Sequence, residues 1–181
     1  MYVDESPFDM DRRAVGTSVY AGVLFTVLGL VAWASGQPFI FPSLGPSAFI
    51  LAFERRIDRS QISAVLASHA LGAVAGLLAY SLLASGVVLT ADPAAFSPAG
   101  LHIAASGVFS IVLTSLGMIA MGSIHAPACA TTLIVSLGLL STPLQVGIIV
   151  GSVCLLVLVH VTVLRGYRRT VASASLTSRS R

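Results

Sequence analysis

Lysine is absent. All ten basic residues are arginine, and charged residues of both signs occupy only 9% of the 181 positions. A soluble domain carries about 25% charge, so this chain cannot cover a water-facing surface. Carboxylates are scarcer still. Four of the seven precede Arg12, and Glu54, Asp58 and Asp92 stand at the edges of apolar runs. With only two cysteines, Cys129 and Cys154, no disulfide scaffold is expected. Both lie in apolar segments, where a free thiol is read as a small buried hydrophobe. What remains is 56% hydrophobic, with a mean hydropathy of +0.94. This is the composition of an all-α integral membrane protein whose first partner is the lipid bilayer.

The formal charge of +3 does not indicate a nucleic-acid partner. The arginines at 12–13, at 55, 56 and 59, at 165–169 and at 179–181 all flank apolar segments, and they read as topology determinants. Six such segments are expected: 15–35, 39–53, 61–91, 100–122, 127–140 and 144–164. An N-terminal signal peptide is disfavoured, because four acidic residues precede Arg12 where a basic leader is needed. A full crossing takes about 20 residues, so the second and fifth segments are short. If both nevertheless cross, every arginine falls on the cytoplasmic side and the outer connections carry none. The expected protein is multi-pass in the cell membrane with both termini cytoplasmic.

An internal repeat supports that count. Adding 85 to each number carries Gly22-Val23 onto Gly107-Val108, Val27-Leu28 onto Val112-Leu113 and Pro42 onto Pro127. Beyond the short segments the frame shortens by ten residues, and Gly72-x-x-x-Gly76 falls on Gly147-x-x-x-Gly151. Each unit reads as a long helix, a short proline-broken helix and a Gly-x-x-x-Gly helix. Three crossings per unit invert the second relative to the first, as in secondary transporters. The expected division is 1–14, a cytoplasmic lead; 15–91, the first unit; 92–99, an outer loop; 100–165, the second, inverted unit; and 166–181, a basic, disordered tail. The paired glycines read as close-packing sites. A dimer face is the alternative, so a homo-oligomer is left open.

The stretch "FIFPSLGPSAFILAF" breaks an apolar run with Pro42, Gly45 and Pro46. Non-helical backbone at membrane depth is tolerated only where protein buries it or it lines a cavity. Proline favours a first helical turn, so short helices should begin near 45–47 and near 127–130. Their N-termini would then face each other at the midplane with several unpaired N–H groups. Two such ends form an anion site without a basic side chain. Ser43, Gly45 and Ser47 on one side and His125, Ala130, Thr131 and Thr132 on the other are the expected substrate contacts, with His69 as a further proton or substrate contact. No carboxylate lies within a span, which disfavours a cation. His125 and Cys129 are four apart, but two ligands do not make a metal site, so no metal or other cofactor is expected. His160 reads as interfacial and His102 as a helix-start residue. Ser110, Thr114 and Ser115 read as bonding back to their own helix.

"HAPACATTLIVSLGLL", with "PSLGPSAFILAF" before it, resembles the HPP family of small membrane proteins across about 15–165. The family's His-Pro-Pro motif stands here as His125-Ala126-Pro127. A plant plastid member is regarded as a nitrite transporter, so the resemblance implies transport of a small inorganic anion such as nitrite. The alternatives are an anion channel and a non-transporting scaffold or sensor subunit. An enzyme is not expected, because no carboxylate or complete nucleophile–base set lies in the membrane, and no catalytic residue is assigned.

Overall fold

The computed structural model describes residues 7–89 and 93–179, with side chains for 12–89 and 93–170. Among the described residues there are helices and no strand. They are α1 (Pro7–Ser35), α2 (Leu44–Glu54), α3 (Arg59–Ala79), α4 (Pro98–Ala120), α5 (Ala128–Ser136) and α6 (Pro143–Arg179), with a π-helical turn, Tyr80–Ala84, extending α3. Four stretches are long and apolar enough to cross a membrane: Arg12–Ser35, Arg59–Ala84, Pro98–Ala120 and Pro143–Thr170. The other two helices are short. α2 has 11 residues and α5 has 9, so they reach only about 16 and 14 Å at 1.5 Å per residue.

Local chemistry sets the helix ends. Asp58 caps α3 by accepting from the Ser60 N–H at 3.0 Å. Ser97 caps α4, accepting from the Gly100 N–H at 3.2 Å, with Pro98 in the first turn. α2 stops where Arg55 turns left-handed, with φ 47°. The third expected segment ends early, because the π-helical turn gives way at Ser85. His102 does more than start a helix: its Nδ1 lies 2.8 Å from the Leu83 carbonyl in that turn. The tail differs from expectation, since α6 continues as helix to Arg179.

Contacts gather the arginine-bearing stretches at one end of the bundle. The Arg13 guanidinium sits 5.0 Å from the centre of the Phe53 ring. His160 of α6 is fully buried, not interfacial. Its Nε2 donates to the Arg56 carbonyl at 2.9 Å, and the Tyr20 hydroxyl lies 3.1 Å from its Nδ1. Gly122, Ile124, His125 and Ala126 share a cavity with Glu54 and Asp58 at this same end. At the far end, the Leu89 N–H donates to the Leu137 carbonyl at 3.0 Å, joining the exits of α3 and α5.

α1 lies on α2 and α6; α3 lies most closely on α5 and α4, and α6 packs on α3 as well as on α1, bridging the two. One Gly-x-x-x-Gly pair explains the tightest contact. A Cβ at Gly72 would stand 2.7 Å from the Ala128 carbonyl oxygen, and at Gly76 2.6 Å from that of Thr132, so the α3 backbone rests directly on α5. The other pair behaves differently. A Cβ at Gly147 or Gly151 would meet nothing within 4 Å outside its own helix backbone, and both lie exposed on α6. Cys154 is exposed on that helix too, not buried as expected. Gly76→Ala should therefore destabilise the protein by about 1–3 kcal/mol through overpacking, whereas Gly151→Ala should leave stability unchanged or slightly raised. Thermal unfolding in detergent separates the two.

Candidate functional site

Ser43 occupies the N-cap position of α2, yet its side chain makes no capping bond. Its hydroxyl is turned across to α5, where Oγ lies 2.7 Å from Thr131 Oγ1. One turn into α2, Ser47 Oγ lies 3.1 Å from the Ser43 carbonyl and 2.9 Å from Nε2 of both His69 and His125. The His69 ring closes the circuit, with Nδ1 2.6 Å from Thr131 Oγ1. Ser43, Ser47, His69 and Thr131 are fully buried and His125 is 6% exposed. The two imidazole centres are 5.2 Å apart.

The protons can be placed with both rings neutral. If Ser47 gives its one proton to the Ser43 carbonyl, both Nε2–H groups donate to Ser47. His69 Nδ1 then accepts from Thr131, which accepts from Ser43. Every contact is satisfied. A buried polar group left without a partner costs about 1–3 kcal/mol, so these side chains hold α2 to α3 and α5 as a unit.

Backbone packing aims His69 at this place. His69, Gly72 and Gly76 are spaced by three and four residues, so they share one face of α3. The glycines seat that face on α5, and the imidazole follows. Sequence reasoning placed the glycines and the histidine separately; their shared spacing is the signal that would have joined them.

Of the expected contacts, Ser43, Ser47, His69, His125 and Thr131 come together. Thr132 follows Thr131 in α5 and is fully buried, but it is not bonded to the cluster, and its hydroxyl has no partner among the described residues. Gly45 lines a separate apolar groove with Phe41 and Pro42. Ala130 offers only backbone. The two helix starts do not face each other across a gap. They overlap by about one turn, since Ser43 meets Thr131 while Ser47 meets His125. The N–H groups at the start of α5 are not bare either: those of Ala128, Cys129 and Ala130 donate to the carbonyls of His125, Ala126 and Pro127 at 3.0 Å. The donors this arrangement offers are therefore mainly hydroxyls and imidazoles.

Sequence reasoning missed a hydroxyl ladder behind α5. Ser106 donates to the Ser136 carbonyl at 2.8 Å, and Ser110 Oγ lies 3.0 Å from Ser136 Oγ. It ties the end of α5 to α4. Spacing by four along α4 was its signal. Among the described residues no three His, Cys, Asp or Glu side chains group to hold a metal ion. Ser43→Ala and Thr131→Val should each cost about 1–3 kcal/mol, with coupling of at least about 0.5 kcal/mol in the double mutant; unfolding of the four purified proteins measures it.

Residues 8–172 match the protein-family model described as HPP, transmembrane region. No curated protein and no solved structure gives a significant match. The matched span contains the whole buried cluster together with the helices that build it, and the chain belongs to the HPP transmembrane family.

Proposed function

We propose that the chain is a transporter of a small monovalent anion of the nitrite type, bound where α2 and α5 begin. One observation carries this reading. Two helix starts converge on a buried cluster of hydroxyls and imidazoles, and among the described residues the buried polar side chains include no carboxylate. Helix starts carry about half a positive charge each, and a site without carboxylates presents no competing anion. The arrangement is closed, because Ser43 and Thr131 bond directly. An incoming anion takes the place of that bond and accepts from Ser43, Ser47, Thr131 and the unpartnered Thr132 hydroxyl.

The packing supports a means of opening. The cluster's side-chain bonds run between α2, which lies on α1, and α3 with α5. Rocking of α1 and α2 against α3 and α5 would expose the site in turn to each side. In this reading the six helices are six crossings, 15–91 and 100–165 are inverted units, and both termini are cytoplasmic in the cell membrane. Asp58→Cys, in a background lacking Cys129 and Cys154, should label only from the cytoplasmic side; labelling from outside contradicts the topology.

A hydrogen bond to a charged ligand is worth about 1.5–3 kcal/mol, so Ser47→Ala should weaken anion binding about ten- to a hundred-fold. Thr131→Asp should abolish uptake of nitrite into proteoliposomes while the protein still folds, because the carboxylate occupies the anion's place. Normal uptake by that variant would move the site elsewhere.

A further inference from the structure

His125 belongs to two places at once. Its Nε2 lies 2.9 Å from Ser47 Oγ inside the cluster. The residue also lines a cavity of about 540 Å³ at the arginine-bearing end, together with Glu54, Asp58, Ser60 and Gln61. A chain of contacts of 2.6–2.9 Å leads from there to the start of α2: His125 to Ser47, to His69, to Thr131, to Ser43.

Ser47 decides whether the chain is continuous. Its hydroxyl has two acceptors, the Ser43 carbonyl at 3.1 Å and His69 Nε2 at 2.9 Å. When it donates to the carbonyl, two N–H groups converge on Ser47 and the chain is interrupted. When it donates to His69, the order is uniform. His125 Nε2–H points to Ser47, Ser47 to His69 Nε2, His69 Nδ1–H to Thr131, and Thr131 to Ser43. The heavy atoms are the same in both arrangements, and both rings are neutral in each.

We infer that this chain is a proton relay, carrying one proton with each anion; the inference rests on the transport reading above. A proton from the cavity binds His125 Nδ1. The Nε2–H bond breaks as its proton passes to Ser47, and the proton of Ser47, turned from the anion to His69, passes to His69 Nε2. The Nδ1 proton of His69 goes to Thr131, and that of Thr131 to the anion, which has taken the place of the Ser43–Thr131 bond. One proton enters, one leaves, and no side chain ends charged. Rotation of the hydroxyls and exchange of the ring tautomers restore the starting order. The physical gain is electroneutrality, since a lone charge is costly at membrane depth.

Other groups face these rings. Glu54 accepts from Gln61 at 2.6 Å and Asp58 from the Ser60 N–H at 3.0 Å, and both carboxylates share the cavity with His125. On the α6 side, His69 meets Val150, Val153 and Cys154 around a second, apolar cavity. Two imidazoles and the intervening hydroxyls therefore form the connected path.

The test uses the full chain in vesicles loaded with a pH dye, with anion entry followed for nitrite and for nitrate. Nitrate, the anion of a strong acid, cannot take the relayed proton and should enter without one; empty vesicles correct for leakage of nitrous acid. In the wild type, protons and nitrite should enter one for one, and nitrite entry should not change when a potassium–valinomycin potential is imposed. In His69→Gln, protons per nitrite should fall by about tenfold or more, the size expected for loss of a positioned proton-transfer group, and the remaining entry should become potential-dependent. Ser47→Ala should do the same and guards against misfolding of one variant. Nitrite entry without protons in the wild type overturns the relay and leaves the transport reading standing. No anion entry at all overturns both. A wild-type ratio in both variants also overturns the relay.

Discussion

One hydroxyl holds the junction of this bundle. Ser47 touches two imidazoles from two other parts of the chain and the carbonyl of its own N-cap residue. In lipid, no water competes for these groups, and each must find a protein partner. α2 has only 11 residues and cannot be fixed by its own length. Its position follows from packing on α1 and from these side-chain bonds to α3 and α5. The N-cap hydroxyl of Ser43, which would ordinarily satisfy its own helix, is given to Thr131 instead. The local helix end is weakened so that a long-range contact can form.

The same economy applies on the other side. Gly72 and Gly76 remove the side chains that would hold α3 away from α5, and this close approach sets His69 against Thr131. The first turn of α5 satisfies its own N–H groups through short backbone bonds, so its hydroxyls remain for other partners. Thr132, the next residue in α5, is buried with its hydroxyl unpartnered among the described residues. Together these features describe a closed polar junction that joins the start of α2 to α3 and α5.

Much of this was legible in the sequence. Low charge and long apolar runs revealed the membrane class. Pro42 and Pro127 marked both short helices to within about three residues, since proline removes a donor and sits well at a helix start. Serine, threonine and histidine near those starts identified most of the cluster. What the sequence could not supply was the offset between the two starts. Whether helix ends face one another or slide past depends on how deeply α3 seats on α5, which is a property of packed surfaces. The two Gly-x-x-x-Gly motifs look alike as text but differ in use, because only the first faces a neighbouring backbone. His160 looked interfacial from its closeness to Arg165, yet it is buried between Tyr20 and the Arg56 carbonyl.

The central claim is that a small anion replaces the Ser43–Thr131 bond. Crystals of the protein grown with bromide, a monovalent anion with a strong anomalous signal, test it most directly. The account predicts an anomalous peak within hydrogen-bonding distance of the Ser47 and Thr131 hydroxyls, with Ser43 and Thr131 drawn apart. An intact Ser43–Thr131 contact, with bromide bound only elsewhere in a protein that transports it, would contradict the account.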